Sequence, residues 1–460
     1  MIIRSICAAI ATGLLILCSI GNNASAQEFT VGEAFTDYVR RTCGQLAGTS
    51  NRTGQQEDLF RRCNGALNAP DSSSGGLSSQ GDILDQYLGV QNAVPQSDAL
   101  NRTNRPNEFA SARLGAIANQ MRGGQFAGLV PQQPILLASN DPSAVSFSSG
   151  SSGLSRTGRL DGFASLGGFE SEQDTTSSEV GYEVDGFWIA GGLDYSFSDT
   201  LIVGGAISFV DSSADIEGVG GLDEGGDSDS ETLSFTAYGS WLATDALELN
   251  GSVSFGQSDF EMSRNISIVD KNGGGINDID DGNFATVERT ANSETEADIY
   301  QVSLGASYGI YYDNGVSLTP TANISYYNAE IDGFSETDAN GLDLVFEAQE
   351  VDSTQVAIGA TLARPYSRDW GVIMPYARAT AIFELQDNPQ SVVARYTAAV
   401  DANDNFVIRT NPSDDSALDL ALGVTAQFGP AMSGFAEITT LTGLDDVEHR
   451  SLSLGLRYEF

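Results

Sequence analysis

From residue 159 to its end, this chain places an apolar side chain at every second position in run after run. Such a period of two belongs to β-strands with one apolar face, because successive side chains leave a strand on opposite sides. The last run is the clearest. Leu452, Leu454, Leu456, Tyr458 and Phe460 share one face, against Ser451, Ser453, Gly455, Arg457 and Glu459 on the other. Twelve runs are predicted, at about 159–170, 182–197, 200–211, 231–243, 246–261, 297–312, 315–331, 350–365, 370–385, 415–429, 431–441 and 450–460.

The connections between runs are sorted by length. Those after even-numbered runs are short, as at Ser198-Asp199, Thr244-Asp245 and Pro430, and those after odd-numbered runs are longer, up to residues 262–296. A soluble sandwich has no reason to sort its turns, whereas a transmembrane barrel has short periplasmic turns on one rim and long extracellular loops on the other. Tyr195, Phe197, Trp241, Tyr311, Tyr312, Tyr366, Trp370, Phe428 and Tyr458 fall near the short turns, as an interfacial aromatic girdle does. Only a closed barrel leaves no unpaired strand edge in lipid.

Charge divides the chain as well. Residues 27–150 carry 9 Arg and 11 acidic residues, whereas 151–460 carry 12 basic and 51 acidic residues. With 62 acidic residues against 22 basic, nucleic acid is excluded as a partner, since phosphate binding needs a basic face. One histidine, His449, leaves no second imidazole for a multi-His metal site. No cofactor is expected, and turnover chemistry is not expected either.

Residues 1–26 read as a signal peptide: Arg4, an apolar run over 6–20, then Ala24-Ser25-Ala26. The run is too short for a spanning helix, which needs about 20 residues. Its removal leaves Cys43 and Cys63, an even pair in an exported chain, expected to form a disulfide between two helices. Helical patterns cover roughly 31–47, 55–69 and 81–88, with a further helix over 107–122 stopped by Gly123-Gly124. The segment Asp401-Ala402-Asn403-Asp404-Asn405 begins like a calcium loop but lacks the Gly and the closing Glu.

Taken together, the twelve runs, the terminal strand Leu452-Ser453-Leu454-Gly455-Leu456-Arg457-Tyr458-Glu459-Phe460 and the strand end Gly191-Gly192-Leu193-Asp194-Tyr195-Ser196-Phe197 resemble the translocator domain of classical autotransporters (type V secretion). The resemblance implies an all-β membrane fold. It is a 12-stranded antiparallel transmembrane barrel with a pore helix, preceded by a small helical, disulfide-containing region. The expected division is a signal peptide (1–26), a short helical passenger (27–106), a pore helix (107–123), a flexible connector (124–157) and the barrel (158–460).

The resemblance further implies that Arg113 and Arg122 enter a lumen lined by Asp185, Asp194, Glu248 and Asp419. It makes Leu456, Tyr458 and Phe460 a signal to the barrel assembly machinery. Outer-membrane lipid, lipopolysaccharide and periplasmic chaperones are the other expected partners, and the barrel is expected to be a monomer. In this reading the barrel translocates or anchors the N-terminal region at the surface of a Gram-negative cell. The alternatives are a porin-like or plugged channel with a periplasmic N-terminal region, and an adhesin acting through acidic loops.

Overall fold

A computed structural model of the protein describes residues 33–73, 77–89, 160–176, 179–270, 279–280, 285–386, 391–409, 416–428, 432–444 and 447–459. The expected signal peptide, the pore helix with Arg113 and Arg122, the connector and Phe460 lie outside the described residues.

The period-two region forms a closed antiparallel barrel of twelve strands. They are β1 (Leu160–Gln173), β2 (Tyr182–Ser196), β3 (Leu201–Glu217), β4 (Glu224–Leu242), β5 (Leu247–Asp270), β6 (Ala285–Tyr308), β7 (Ser317–Ile331), β8 (Gln349–Ala363), β9 (Gly371–Glu384), β10 (Ser416–Phe428), β11 (Met432–Thr442) and β12 (Val447–Glu459). Closure comes from β12 against β1, in register from Asp161↔Glu459 to Gln173↔Val447. Both barrel ends therefore lie on the rim of short turns.

The faces are inverted relative to a soluble protein. On β6 the outward residues Tyr300, Val302, Leu304 and Tyr308 are exposed, Leu304 at 61%, while Gln301, Ser303 and Ser307 point inward and are buried. Leu422 at 68% and Leu456 at 61% repeat the pattern on β10 and β12. Exposing this much apolar surface is favourable only where the surrounding solvent is itself apolar. The band on β6 runs from Tyr300 to Tyr308, matching the 9–11 residues a tilted strand needs to span hydrocarbon.

Beyond that band the polarity reverses along the same strands. On β5 the outward series passes from Val253 and Phe255 to Asp259 and Glu261, while the inward series passes from Ser254 and Ser258 to Phe260, Met262, Ile266 and Ile268. The expected loop over 262–296 is thus largely strand: β5 and β6 pair as far as Asp270↔Ala285. Acidic residues line the outer face of these extensions. Asp211, Glu231, Asp259 and Glu296 lie directly opposite one another on β3 to β6, and Asp229, Glu261 and Glu294 form a second row. Like charges so placed disfavour pairing by a few tenths of a kcal/mol each, roughly. The inward apolar series offsets this.

Three α-helices occur among the described residues: α1 (Glu33–Ala47), α2 (Gly54–Leu67) and α3 (Gln80–Leu88). On α1 the buried residues Phe35, Tyr38, Val39, Thr42, Cys43 and Leu46 recur at three- and four-residue steps, so one face is apolar. Thr53 with Gln56 and Ser79 with Asp82 form capping boxes that start α2 and α3. Gly89, at φ 69°, ends α3 in the left-handed region that favours glycine. The Cys43–Cys63 disulfide joins α1 to α2 with Cα atoms 5.9 Å apart.

Candidate functional site

Two regions concentrate buried charge: the lumen near the short-turn rim, and the mouth at the long-loop rim.

In the lumen, Arg457 of β12 pairs with Asp161 of β1 across the closing seam, both buried. Tyr238 of β4 donates to Asp194 of β2 at 2.5 Å, reaching across β3 at Gly204, where any Cβ would strike its ring. Glu248 accepts from Ser240 at 2.6 Å and Ser307 at 2.5 Å. On the other wall Arg378 lies 3.3 Å from Glu437 and 3.6 Å from Asp419, and Tyr376 donates to Glu437 at 2.9 Å. Asp194, Glu248 and Asp419 therefore face the lumen as expected. Asp185 does not: it belongs to the outward, exposed series of β2 with Glu183 and Phe187. The period of two decides this, since Asp185 and Asp194 differ by an odd number of residues.

At the mouth, the helices lie against the long loops. Arg264, 0% exposed at the extended end of β5, donates to both Glu336 carboxylate oxygens (2.7 and 2.6 Å), to the Gln86 carbonyl of α3 at 2.9 Å and to the Leu342 carbonyl at 3.0 Å. Arg289 of β6 holds Asp58 of α2 through two bonds, at 2.6 and 3.0 Å. The Gly341 N–H donates to the same carboxylate at 3.0 Å, and Arg62 lies 3.5 Å away. Burial alone would raise the Asp58 pKa, but the guanidiniums and the Gly341 bond hold it below the ordinary carboxylate value. The Gln86 side chain donates to the Gly220 carbonyl at 2.9 Å and accepts from the Ser267 N–H at 2.7 Å.

A four-stranded sheet built from the loops (Phe334–Ser335, Leu344–Phe346, Ser391–Tyr396, Phe406–Arg409) backs α1. Phe35 and Tyr38 meet the Phe406 ring at 4.8 and 4.9 Å, and the Tyr396 N–H donates to the Tyr38 hydroxyl at 3.0 Å. The calcium-like loop is otherwise engaged: Asp401 accepts from the Asn403 N–H, and Asp404 pairs with Arg41 at 2.9 Å. Among the described residues no group of His, Cys, Asp and Glu is arranged to hold a metal ion. His449 lies half-buried in the inward series of β12. Leu456 and Tyr458 face outward in the apolar band.

Arg264, Arg289, Glu336, Asp58 and Gln86 were not singled out by sequence. One signal pointed to them: Arg264 takes an inward place in the series Met262, Arg264, Ile266, Ile268, where a cation must find a buried partner.

No curated protein matches the chain. Similar solved structures include the translocator domain of autotransporter NalP from Neisseria meningitidis, at 16% identity and a TM-score of 0.49, covering 67% of this chain and 92% of that one. The β domain of the Bordetella autotransporter BrkA is 18% identical with a TM-score of 0.43, covering 65% and 100%. The transport unit of AIDA-I from Escherichia coli is 11% identical with a TM-score of 0.43, covering 76% and 99%. The family described as the autotransporter beta-domain matches residues 162–439, more than half of the chain, and the chain belongs to that family of outer-membrane translocator barrels.

Proposed function

We propose that this barrel carries its own N-terminal region to the cell surface and anchors it there, with the intervening chain threading the lumen. The observation that carries the reading is an opposition of rims. The helices up to Gly89 pack at the long-loop rim, through Gln86, Asp58 and Tyr38, whereas β1 starts at Leu160 on the short-turn rim. Long loops are the extracellular side of such barrels. A chain joining the two rims of a lipid-embedded barrel has the lumen as its polar route. The inward carboxylates of Asp194, Glu248, Asp419 and Glu437 favour a cationic segment there, the role proposed for residues 107–123 with Arg113 and Arg122.

In this reading residues 1–26 direct export and the outward Leu456 and Tyr458, followed by Phe460, guide insertion by the assembly machinery and its chaperones. The barrel works as a monomer in outer-membrane lipid and lipopolysaccharide, as a secretion device rather than a catalyst. Planar-bilayer recordings test the threading. Deleting residues 27–125 is expected to raise conductance sharply, and a deletion mutant as poorly conducting as the full chain contradicts the reading. Deleting Phe460 is expected to lower assembly in the outer membrane, and normal assembly contradicts its role.

A further inference from the structure

We propose that residues 33–89 are not a detachable passenger but one half of a lid whose other half is the barrel's own long loops. The inference rests on the outward placement proposed above and adds how the region is held. A bundle displayed on a tether would keep its core to itself. Here each helix spends its buried face on the barrel. Helix α1 lays Phe35 and Tyr38 on Phe406 and Tyr396 of the loop sheet. Helix α2 receives the turn at Gly341 so closely that any Cβ there would strike the Leu59 backbone nitrogen. Helix α3 is clasped at its C-terminus by Arg264 and, through Gln86, by Gly220 and Ser267.

Charge points the same way. Arg264 and Glu336 are buried under α3, and Asp58 and Arg289 are each 5% exposed between α2 and β6. Lifting the helices away would hydrate both clusters and expose the apolar ends of β5 and β6, whose inward residues Ile266, Ile268 and Val287 belong to the same core as Leu59, Ile83 and Tyr87. Fewer than about 60 residues in three short helices supply only a marginal core of their own, and the disulfide among the described residues joins only α1 to α2. The loops are therefore the receptor on which the N-terminal region folds, and the folded lid covers the mouth of the pore.

Hydrogen exchange on the full chain in detergent micelles tests this. In the wild-type protein the amides of α1, α2 and α3 are expected to exchange slowly and together with 344–346 and 391–396. Gly341→Leu, a wedge on the barrel side, and Phe406→Ala are each expected to speed exchange in all three helices by about a hundredfold, the scale of a buried interface opening, and to leave 247–256 and 300–308 protected. Helices that stay protected in both variants would be an independent knob, which overturns the lid; so would fast exchange in the wild type. If Gly341→Leu disturbs the barrel strands, Phe406→Ala decides. The assay is blind to the side of the membrane, so a surface-labelling failure overturns the placement while this result still judges the lid.

Discussion

Arg289 and Asp58, 231 residues apart in the chain, meet through paired hydrogen bonds of 2.6 and 3.0 Å in a nearly water-free contact between a barrel strand and a helix. The pair fixes α2 on the rim and determines how that contact answers to pH. Because the Asp58 carboxyl is held below its ordinary value of 3.8, its contribution is present above that pH and lost as pH falls through the lower folded value. Arg289→Ala leaves the carboxylate buried with a poorer partner set and is expected to destabilise the lid by about 3 kcal/mol at neutral pH. Proteolysis of α2 across a denaturant series measures it; a change under about 0.5 kcal/mol would place the pair among surface contacts.

Asp343 has the opposite sign. Burial, reinforced by Glu336, raises its carboxyl to about 6, against the ordinary 3.8, although the Ala339 N–H donates to it at 2.7 Å. The folded lid therefore holds this proton more tightly than the unfolded chain. Its stabilising effect is complete below about 4 and disappears as pH rises to about 6. Asp343→Asn keeps an acceptor for Ala339 and removes the charge. It is expected to stabilise the lid at pH 7 and to flatten the pH dependence between 4 and 6. An unchanged pH profile contradicts the assignment.

The Cys43–Cys63 disulfide closes a separation of 20 residues. Replacing both cysteines by alanine is expected to lower lid stability by about 3 kcal/mol, chiefly by freeing the unfolded chain. The barrel, which the Cys43–Cys63 bond does not staple to that loop, should keep its melting behaviour. A matching loss in the barrel would mean that lid and barrel unfold as one unit.

The apolar band makes a directional prediction. Leu304 sits at its middle, between Tyr300 and Tyr308, and Leu304→Arg is expected to cost about 2–4 kcal/mol in lipid. Glu296 lies four pairs further out on the same face, opposite Asp259. Glu296→Lys breaks a run of like charges there and is expected to stay within about 0.5 kcal/mol of neutral. Refolding into lipid vesicles measures both; equal effects would contradict the boundary between Tyr300 and Asp298.

The barrel was legible because alternation of apolar and polar residues depends only on a strand's two faces, so 452–459 and 418–428 read correctly without any partner. The disulfide pair was legible from export and parity. What escaped was the inversion. Past Phe255 the outer face meets water and the inner face meets protein, so apolar alternation on the outer face stops and the run reads as ending at Glu261, although pairing continues to Asp270↔Ala285. The charge of Asp185 suggests the lumen, but its odd spacing from Asp194 puts it outside. The contacts of Arg264 and Arg289 with α2 and α3 join segments more than 170 residues apart, and no local pattern reports them.

An epitope between Ser73 and Leu77, probed with antibody and protease on intact cells, reports directly which side of the membrane holds the helices. Labelling is expected without permeabilisation, weak because the lid is docked, and increased by Phe406→Ala. Labelling only after the outer membrane is opened, with the barrel correctly inserted, would contradict that expectation and place the helices in the periplasm.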